Sequence, residues 1–294
     1  MSFKNLKKDR KKSLAAMVEA SSKLNESTFK DSDEGFWKLT VDKAGNGSAI
    51  IRFLPPAEGD DVPWVQIFTH GFKGPGGWYI ENCPTTLKKG CPACDHNSTL
   101  WNSGVDANKK IASSQKRRKG YISNIYVVKD PGNKENEGKV FKYRYGQKIF
   151  DKLNDAMHPE FDDETPVNPF DLWEGANFRL KARQVDGFRN YDKSTFDDSA
   201  PLLDDDNALE EVYNQEESIS VLIAPEEFKS EGELKGRLTK VLGLNAIGDT
   251  KQPVADAPEE KTAEHDLGES TDSDSGDSDD GDEESYFAGL ADED

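Results

Sequence analysis

Phe36-Trp37-Lys38-Leu39-Thr40-Val41, then Asp42-Lys43-Ala44-Gly45-Asn46-Gly47-Ser48, then Ala49-Ile50-Ile51-Arg52-Phe53-Leu54-Pro55-Pro56 is the stretch on which the fold turns. Its outer parts are rich in aromatic and β-branched residues and its middle in Gly and Asn, and two prolines close it. Proline cannot donate to a ladder, so a strand must stop there. The pattern predicts a strand, a turn at Asn46-Gly47 and a second strand. The same grammar repeats outward, with strands expected at Val65 to Phe72, Gly77 to Glu81, Tyr121 to Lys129, Val140 to Tyr145 and Phe178 to Val185. Helical signals are fewer: Leu14 to Leu24 behind a capping Ser13, Asp95 to Trp101, and Lys148 to Met157. Short strands between Gly, Pro and Asn turns predict a mainly β chain with some helix, an antiparallel barrel carrying an inserted segment at about residues 60–115.

Charge divides the chain more sharply than hydrophobicity does. Of 294 residues, 34% are hydrophobic and 32% charged, too apolar-poor for one globular unit throughout. The net charge of −19 is carried in blocks. Residues 251–294 hold 17 Asp and Glu against Lys251 and Lys261, a balance of −15 that leaves −4 on the other 250 residues. Residues 109–152 hold 13 Lys and Arg against 4 acids, and residues 1–30 hold 8 against 3. Blocks of this kind mark arms and tails. Three parts are expected: a basic arm at 1–22, a core at 23–248, and a disordered acidic tail at 249–294, where Pro, Asp, Ser and Gly dominate. Residues 197–217 read as an acidic, solvated helix or loop. No run of about 18 apolar residues exists, so no membrane span is expected. Met1 to Leu14 is charged with no apolar stretch behind it, unlike a secretory signal.

All three cysteines fall in one short stretch: His70-x12-Cys83-x7-Cys91-x2-Cys94. An odd count without a secretory signal argues against a disulfide framework. One imidazole and three thiolates suit the tetrahedral nitrogen-and-sulfur preference of zinc, and four protein ligands make one structural ion. Gly90 and Pro92 suit the tight turn around Cys91. The alternatives are buried free thiols or a Cys-Pro-Ala-Cys redox pair, and His96 competes with His70 for the fourth position. A zinc deaminase requires His-x-Glu, whereas Gly71 and Phe72 follow His70 here. No phosphate-cradling Gly loop ending in Lys-Ser/Thr is present, and no enzymatic activity is expected.

Basic and aromatic residues interleave. Lys116-Arg117-Arg118-Lys119 runs into Tyr121 and Tyr126, and Lys142-Tyr143-Arg144-Tyr145 alternates charge and ring. A positive groove with rings on which bases stack is what sequence-independent binding of single strands needs. In a regular strand Tyr143 and Tyr145 point one way and Lys142 and Arg144 the other, so both sets cannot face the same DNA strand, and some of the rings are expected in the core. Trp101, Phe188 and Tyr191 extend the aromatic set, and Arg52, Lys148, Lys181, Arg183 and Arg189 the cationic one.

Several motifs then converge, in order. They are Trp37-Lys38-Leu39, Ala44-Gly45-Asn46-Gly47, Ile51-Arg52-Phe53-Leu54-Pro55, His70-Gly71-Phe72 and Asn124-Ile125-Tyr126-Val127-Val128-Lys129-Asp130-Pro131. After them come Glu135 to Arg144, Trp173-Glu174-Gly175-Ala176-Asn177-Phe178 and Gly187-Phe188-Arg189-Asn190-Tyr191-Asp192. With them the chain resembles, from arm to tail, the helix-destabilising single-stranded DNA-binding proteins of T-even-type bacteriophages.

The resemblance implies an OB-fold core, a five-stranded Greek-key barrel, with an inserted zinc subdomain. It also implies cooperative, sequence-independent coating of single strands during phage replication, recombination and repair, in the cytoplasm of an infected bacterial host. Its zinc ligands fall on His70, Cys83, Cys91 and Cys94, and its DNA-facing aromatics on Trp101, Tyr121, Tyr143, Phe188 and Tyr191. Arg52, Lys142 and Arg144 join that DNA-facing set as cations. The family's basic motif falls on Arg10-Lys11-Lys12-Ser13, for self-association along DNA, and on Lys116-Arg117-Arg118-Lys119 in the core. The second copy departs from the pattern, with Gly120 where a hydroxyl residue is expected, and Ile122 replaces a usual tryptophan. The tail, with Tyr286-Phe287-Ala288-Gly289-Leu290 as its apolar anchor, is expected to bind replication and recombination proteins and to compete with DNA for the groove. The rival reading is a zinc-ribbon RNA-binding or transcription regulatory protein, which predicts a preference for sequence or for ribose.

Overall fold

The computed structural model describes residues 35–161, 165–185 and 187–244. The expected arm, acidic tail and Leu14–Leu24 helix lie outside them. Nearly all the described residues belong to one compact unit that begins at Trp37.

Nine strands form a single sheet: β1 (Phe36–Trp37), β2 (Gly47–Phe53), β3 (Val65–Gly74), β4 (Gly77–Asn82), β5 (Arg118–Lys129), β6 (Val140–Tyr145), β7 (Ala176–Val185), β8 (Phe188–Asn190) and β9 (Thr195–Ser199). Their order is β1-β6-β5-β2-β7-β8, with β3 and β4 branching from β5 and β9 from β7. Among the described residues, five α-helices accompany them: α1 (Pro92–Asn102), α2 (Asp106–Gln115), α3 (Gln147–Met157), α4 (Asp206–Tyr213) and α5 (Glu231–Leu242). The chain is thus mainly β with some helix, built on an open antiparallel sheet.

The opening stretch folds differently from a simple hairpin. β2 pairs with β5 and β7, while β1 neighbours β6. The ladder ends at Trp37, yet the side-chain alternation continues: Trp37 and Leu39 are buried and Val41 packs against the same core. Asp42 makes the turn by accepting from the backbone N–H of Ala44 and Asn46. The left-handed residue is Gly45, at φ 77°, where the expectation had placed the turn at Asn46-Gly47.

β5 is the spine. Its first residues pair with β3, from Thr69↔Arg118 to Val65↔Ile122. Its middle pairs with β6, from Tyr121↔Tyr145 to Tyr126↔Val140, and its end with β2. Ile122, Ser123, Asn124 and Ile125 are all buried, as a strand covered on both faces requires. One core gathers Trp37, Phe53, Tyr121, Tyr143, Tyr145, Phe170, Phe178 and Tyr191 around this spine. A second joins Phe72, Tyr79, Cys83 and Cys91 to Leu234, Leu238 and Val241 of α5. α4 docks by Leu209 and Val212 on Leu54 and Leu172, so the acidic 197–217 region is ordered on one apolar edge.

Candidate metal centre and nucleic-acid face

The β3–β4 hairpin and the start of α1 bring four ligand residues together. His70 lies on β3, Cys83 directly follows β4, Cys91 is the N-cap of α1 and Cys94 sits in its first turn, behind Pro92 at the first helical position. The connection turns at Lys88, whose φ is 58°; Gly90 does not take the left-handed conformation. His70 Nε2 stands 3.5 Å from Cys91 Sγ and 3.3 Å from Cys94 Sγ. Cys83 Sγ lies 3.6 Å from Cys94 Sγ, and all four ligand atoms fall within 4.8 Å of one another. A tetrahedron with metal–sulfur bonds of about 2.3 Å and metal–nitrogen bonds of about 2.0 Å has edges of roughly 3.5–3.8 Å, so the donors fit one ion. His96 is outside this group.

The surroundings prepare the imidazole for such an ion. His70 Nδ1 lies 3.1 Å from the Gln115 carbonyl, which can only accept. The proton therefore sits on Nδ1, and the Nε2 lone pair faces the thiols. Asn97 donates to the same carbonyl at 2.6 Å. Hydrogen bonds from its neighbours hold the Cys83 thiol far below its usual range, while contact with Cys83 and Cys91 pushes Cys94 up. Three thiolates packed this closely repel one another, and a divalent cation relieves that repulsion.

The basic run is wired to this centre. Gln115, which holds His70, ends α2 directly before Lys116. Arg117 donates to Thr85 Oγ1 at 2.8 Å, and that hydroxyl lies 3.1 Å from Cys83 Sγ. The Arg117 guanidinium sits 4.3 Å above the Phe68 ring. Lys116, Arg117 and Lys119 are exposed and Arg118 is half-buried. Beside them Trp64, Val65 and Phe68 line a groove of about 380 Å³, bordered by Asp60, Asp61 and Ser220. Neither Trp64 nor Phe68 was among the expected site residues, although Phe68 lies on an expected strand within reach of the run's cations.

The other expected contacts divide. Trp101 and Phe188 present 53% and 56% of their surface to solvent, on α1 and β8. Lys142 and Arg144 share one face of β6, half-buried, opposite the buried Tyr143 and Tyr145. Tyr121, Tyr143 and Tyr191 are core residues in this structure. Tyr121 stacks on Phe150 with ring centroids 4.0 Å apart, and Tyr143 meets Trp37 edge-on at 5.3 Å. Their rings are already occupied by protein partners.

Arg52 is fully buried, so the expectation that it faces a ligand is corrected. It donates from Nε to Asn177, from Nη1 to the Asp171 carbonyl and from Nη2 to the Ala200 carbonyl, at 3.0, 3.0 and 2.8 Å. Burial lowers its pKa to about 10 against the pull of Asp171 and Asp197. It pins β2 to two loops. Arg10, Lys11, Lys12 and Ser13 lie outside the described residues.

A β sheet that carries a closed cluster of one histidine and three cysteines able to hold a metal ion, beside a basic, ring-lined flank, sets the class of protein to which comparison with known proteins points. Residues 45–242 match the family described as gp32 DNA binding protein like, and the chain belongs to that family. Two curated relatives, each called a single-stranded DNA-binding protein, come from Enterobacteria phages T2 and T4. They are 42% identical to this chain over 246 and 245 residues, covering 81% of this chain and 81% of each relative. A third of the same name, from Enterobacteria phage RB70, is 39% identical over 116 residues, covering 38% of this chain and 97% of that relative. Among the described residues, no helix is long and apolar enough to cross a membrane.

Proposed function

We propose that this protein binds single-stranded DNA without sequence choice and coats it cooperatively during phage replication, recombination and repair in the host cytoplasm. The observation that carries the reading is the Lys116–Lys119 run, anchored to the metal centre through Gln115 and Thr85, together with the exposed rings of Trp101 and Phe188. Positive charge tracks the phosphate backbone, and a ring offers a stacking face that every base can use. The curated relatives' shared name supports the same ligand. The ion is zinc, held by His70, Cys83, Cys91 and Cys94; four protein ligands leave no open position, so its role is structural.

Within this reading Trp101 and Phe188 stack on bases, and Lys116, Arg117, Arg118, Lys119, Lys142 and Arg144 meet phosphates. Tyr121, Tyr143 and Tyr191 shape the wall behind them. The core is an OB-fold with the metal subdomain inserted, Arg10 to Ser13 bridge neighbouring protomers, and the acidic tail recruits replication and recombination proteins. Titrating single-stranded DNA, duplex DNA and RNA at several salt concentrations tests the function. Tight binding to DNA single strands of any sequence, weakening steeply with salt, is expected. Equal affinity for duplex, or a marked preference for RNA or one sequence, overturns it.

A further inference from the structure

Residues 216–220 cross the β5–β6 face at Lys142. The Glu217 carbonyl accepts from Asn124 of β5 at 2.8 Å, and its carboxylate meets Lys142 Nζ at 2.7 Å. Asp60 clamps the far end, accepting from Ser218 Oγ and from the N–H groups of Ile219 and Ser220 at 2.6, 2.8 and 3.3 Å. Ile219, held by Asp60, is itself buried. The Lys142 side chain is left 15% exposed, whereas that of Glu217 is 69% exposed. The cation is covered and the anion that covers it stands on the wet side.

We propose that the Glu217 carboxylate holds on Lys142 the place a DNA phosphate takes, so that residues 216–220 form an acidic strap that a single strand displaces. The inference rests on the function proposed above. A carboxylate and a phosphate oxygen accept from an ammonium in the same way and with the same sign of charge. Exchange at the carboxylate itself costs little, because the Glu217 side chain moves into water that it already faces. The closed strap also carries an internal cost. Both carboxyl oxygens of Glu216 are buried without a hydrogen-bond partner, and Asp60 of the clamp adds like charge. Lys142 shares its face of β6 with Arg144, and the same β5 strand begins in the basic run. Ser220, at the strap's end, borders the groove lined by Trp64 and Phe68. An opened strap therefore joins Lys142 to the surface already assigned to DNA.

The test uses the intact chain, an oligodeoxythymidylate short enough for one protomer, and low salt at pH 8. Glu217→Gln keeps the shape and removes the charge. It should raise affinity about 2–5-fold, the size expected of one exposed ion pair, and speed hydrogen exchange across 216–220. Lys142→Gln should cost more in the Glu217→Gln background than in the wild type, because only there is Lys142 released from the Glu217 carboxylate. Glu216→Gln removes the buried charge and should hold the strap closed, with slower exchange and weaker binding. Unchanged or weaker binding by Glu217→Gln, or equal Lys142→Gln costs in both backgrounds, overturns the strap while leaving the function standing. A wild type that ignores single strands overturns the function and the strap with it.

Discussion

Arg52 and Arg117 both stand in strand-rich sequence near aromatic residues, and the fold uses them in opposite ways. Arg52 commits its guanidinium to Asn177 and two loop carbonyls, while Arg117 lies over Phe68 at the surface. Residue type does not distinguish these cases, because the loops that receive Arg52 come from 119 and 148 residues further along. The period-two reading of Lys142 to Tyr145 did separate rings from cations, since alternation is a property of the strand itself. Glu216 is another residue whose behaviour only the fold reveals. Burial first, and the like charge of Asp60 after it, raise its pKa from 4.5 to about 8. An acid with a raised folded pKa keeps its proton while the unfolded chain loses one. Stability is therefore unaffected below about pH 4.5, falls as pH rises from there, and levels off above about pH 8. Glu216→Gln should match the wild type near pH 4.5 and exceed its stability at pH 9 by on the order of 2 kcal/mol, as part of the nominal shift is relieved by water and relaxation. Denaturant unfolding at both pH values checks this, and equal stability at pH 9 contradicts the burial argument.

Among the elements, α5 does most to tie distant sequence to the histidine–cysteine cluster. Its Leu234, Leu238 and Val241 pack against Phe72, Tyr79, Cys83 and Cys91, and Glu81 of β4 pairs with Lys229 and Arg237 at 2.8 and 2.7 Å. Gly76 N–H donates to the Val241 carbonyl at 2.8 Å, an approach that a side chain at Gly76 would block. The signals for α5 stood in the sequence unused: a Ser230-x-x-Glu233 capping box, apolar residues at 234, 238 and 241, and Gly243 as a left-handed C-cap. α2 gave far less, since of its ten residues only Ala112 and Gln115 are buried and no apolar stripe runs along it. β8 and β9 are short and polar, so their pairing with β7 rests on tertiary contact. The clustering of His70, Cys83, Cys91 and Cys94 was legible because a metal-binding pattern ties residue type to spacing. One consequence separates a local staple from an organising centre. Metal chelation should lower thermal stability and speed hydrogen exchange in 231–242 and in 116–119 together, because structural metal binding is coupled to folding. The first segment loses its packing surface and the second loses the Gln115 and Thr85 anchors. Single-strand affinity should fall in parallel. Faster exchange confined to 83–94 would mean that the ion holds only its own loop.

At the scale of the whole molecule, charge layout was the most readable feature, because it needs no fold to be seen. The family match ends at residue 242, at the end of α5, and the −15 balance lies beyond it at 251–294. On the function proposed above, a polyanion tethered to a protein whose basic run meets phosphate would act as an intramolecular competitor, with an effective concentration on the order of millimolar. DNA would then have to displace it, most of all at duplex ends, where only short single-stranded openings form. Removing residues 251–294 should raise affinity for short single strands and lower the melting temperature of duplex DNA, most strongly at low salt where the two polyanions are least screened. Charge alone drives that competition, so changing Tyr286, Phe287 and Leu290 to Ser should leave it intact while abolishing capture of replication proteins. The strap at Glu217 and the tail then act on one surface at different range. Glu217→Gln should add to the tail deletion in raising affinity, since one anion covers a single lysine and the other screens the whole run. If the shortened chain melts duplex DNA no better than the intact one at low salt, the acidic segment does not compete for the groove, and its role reduces to partner binding.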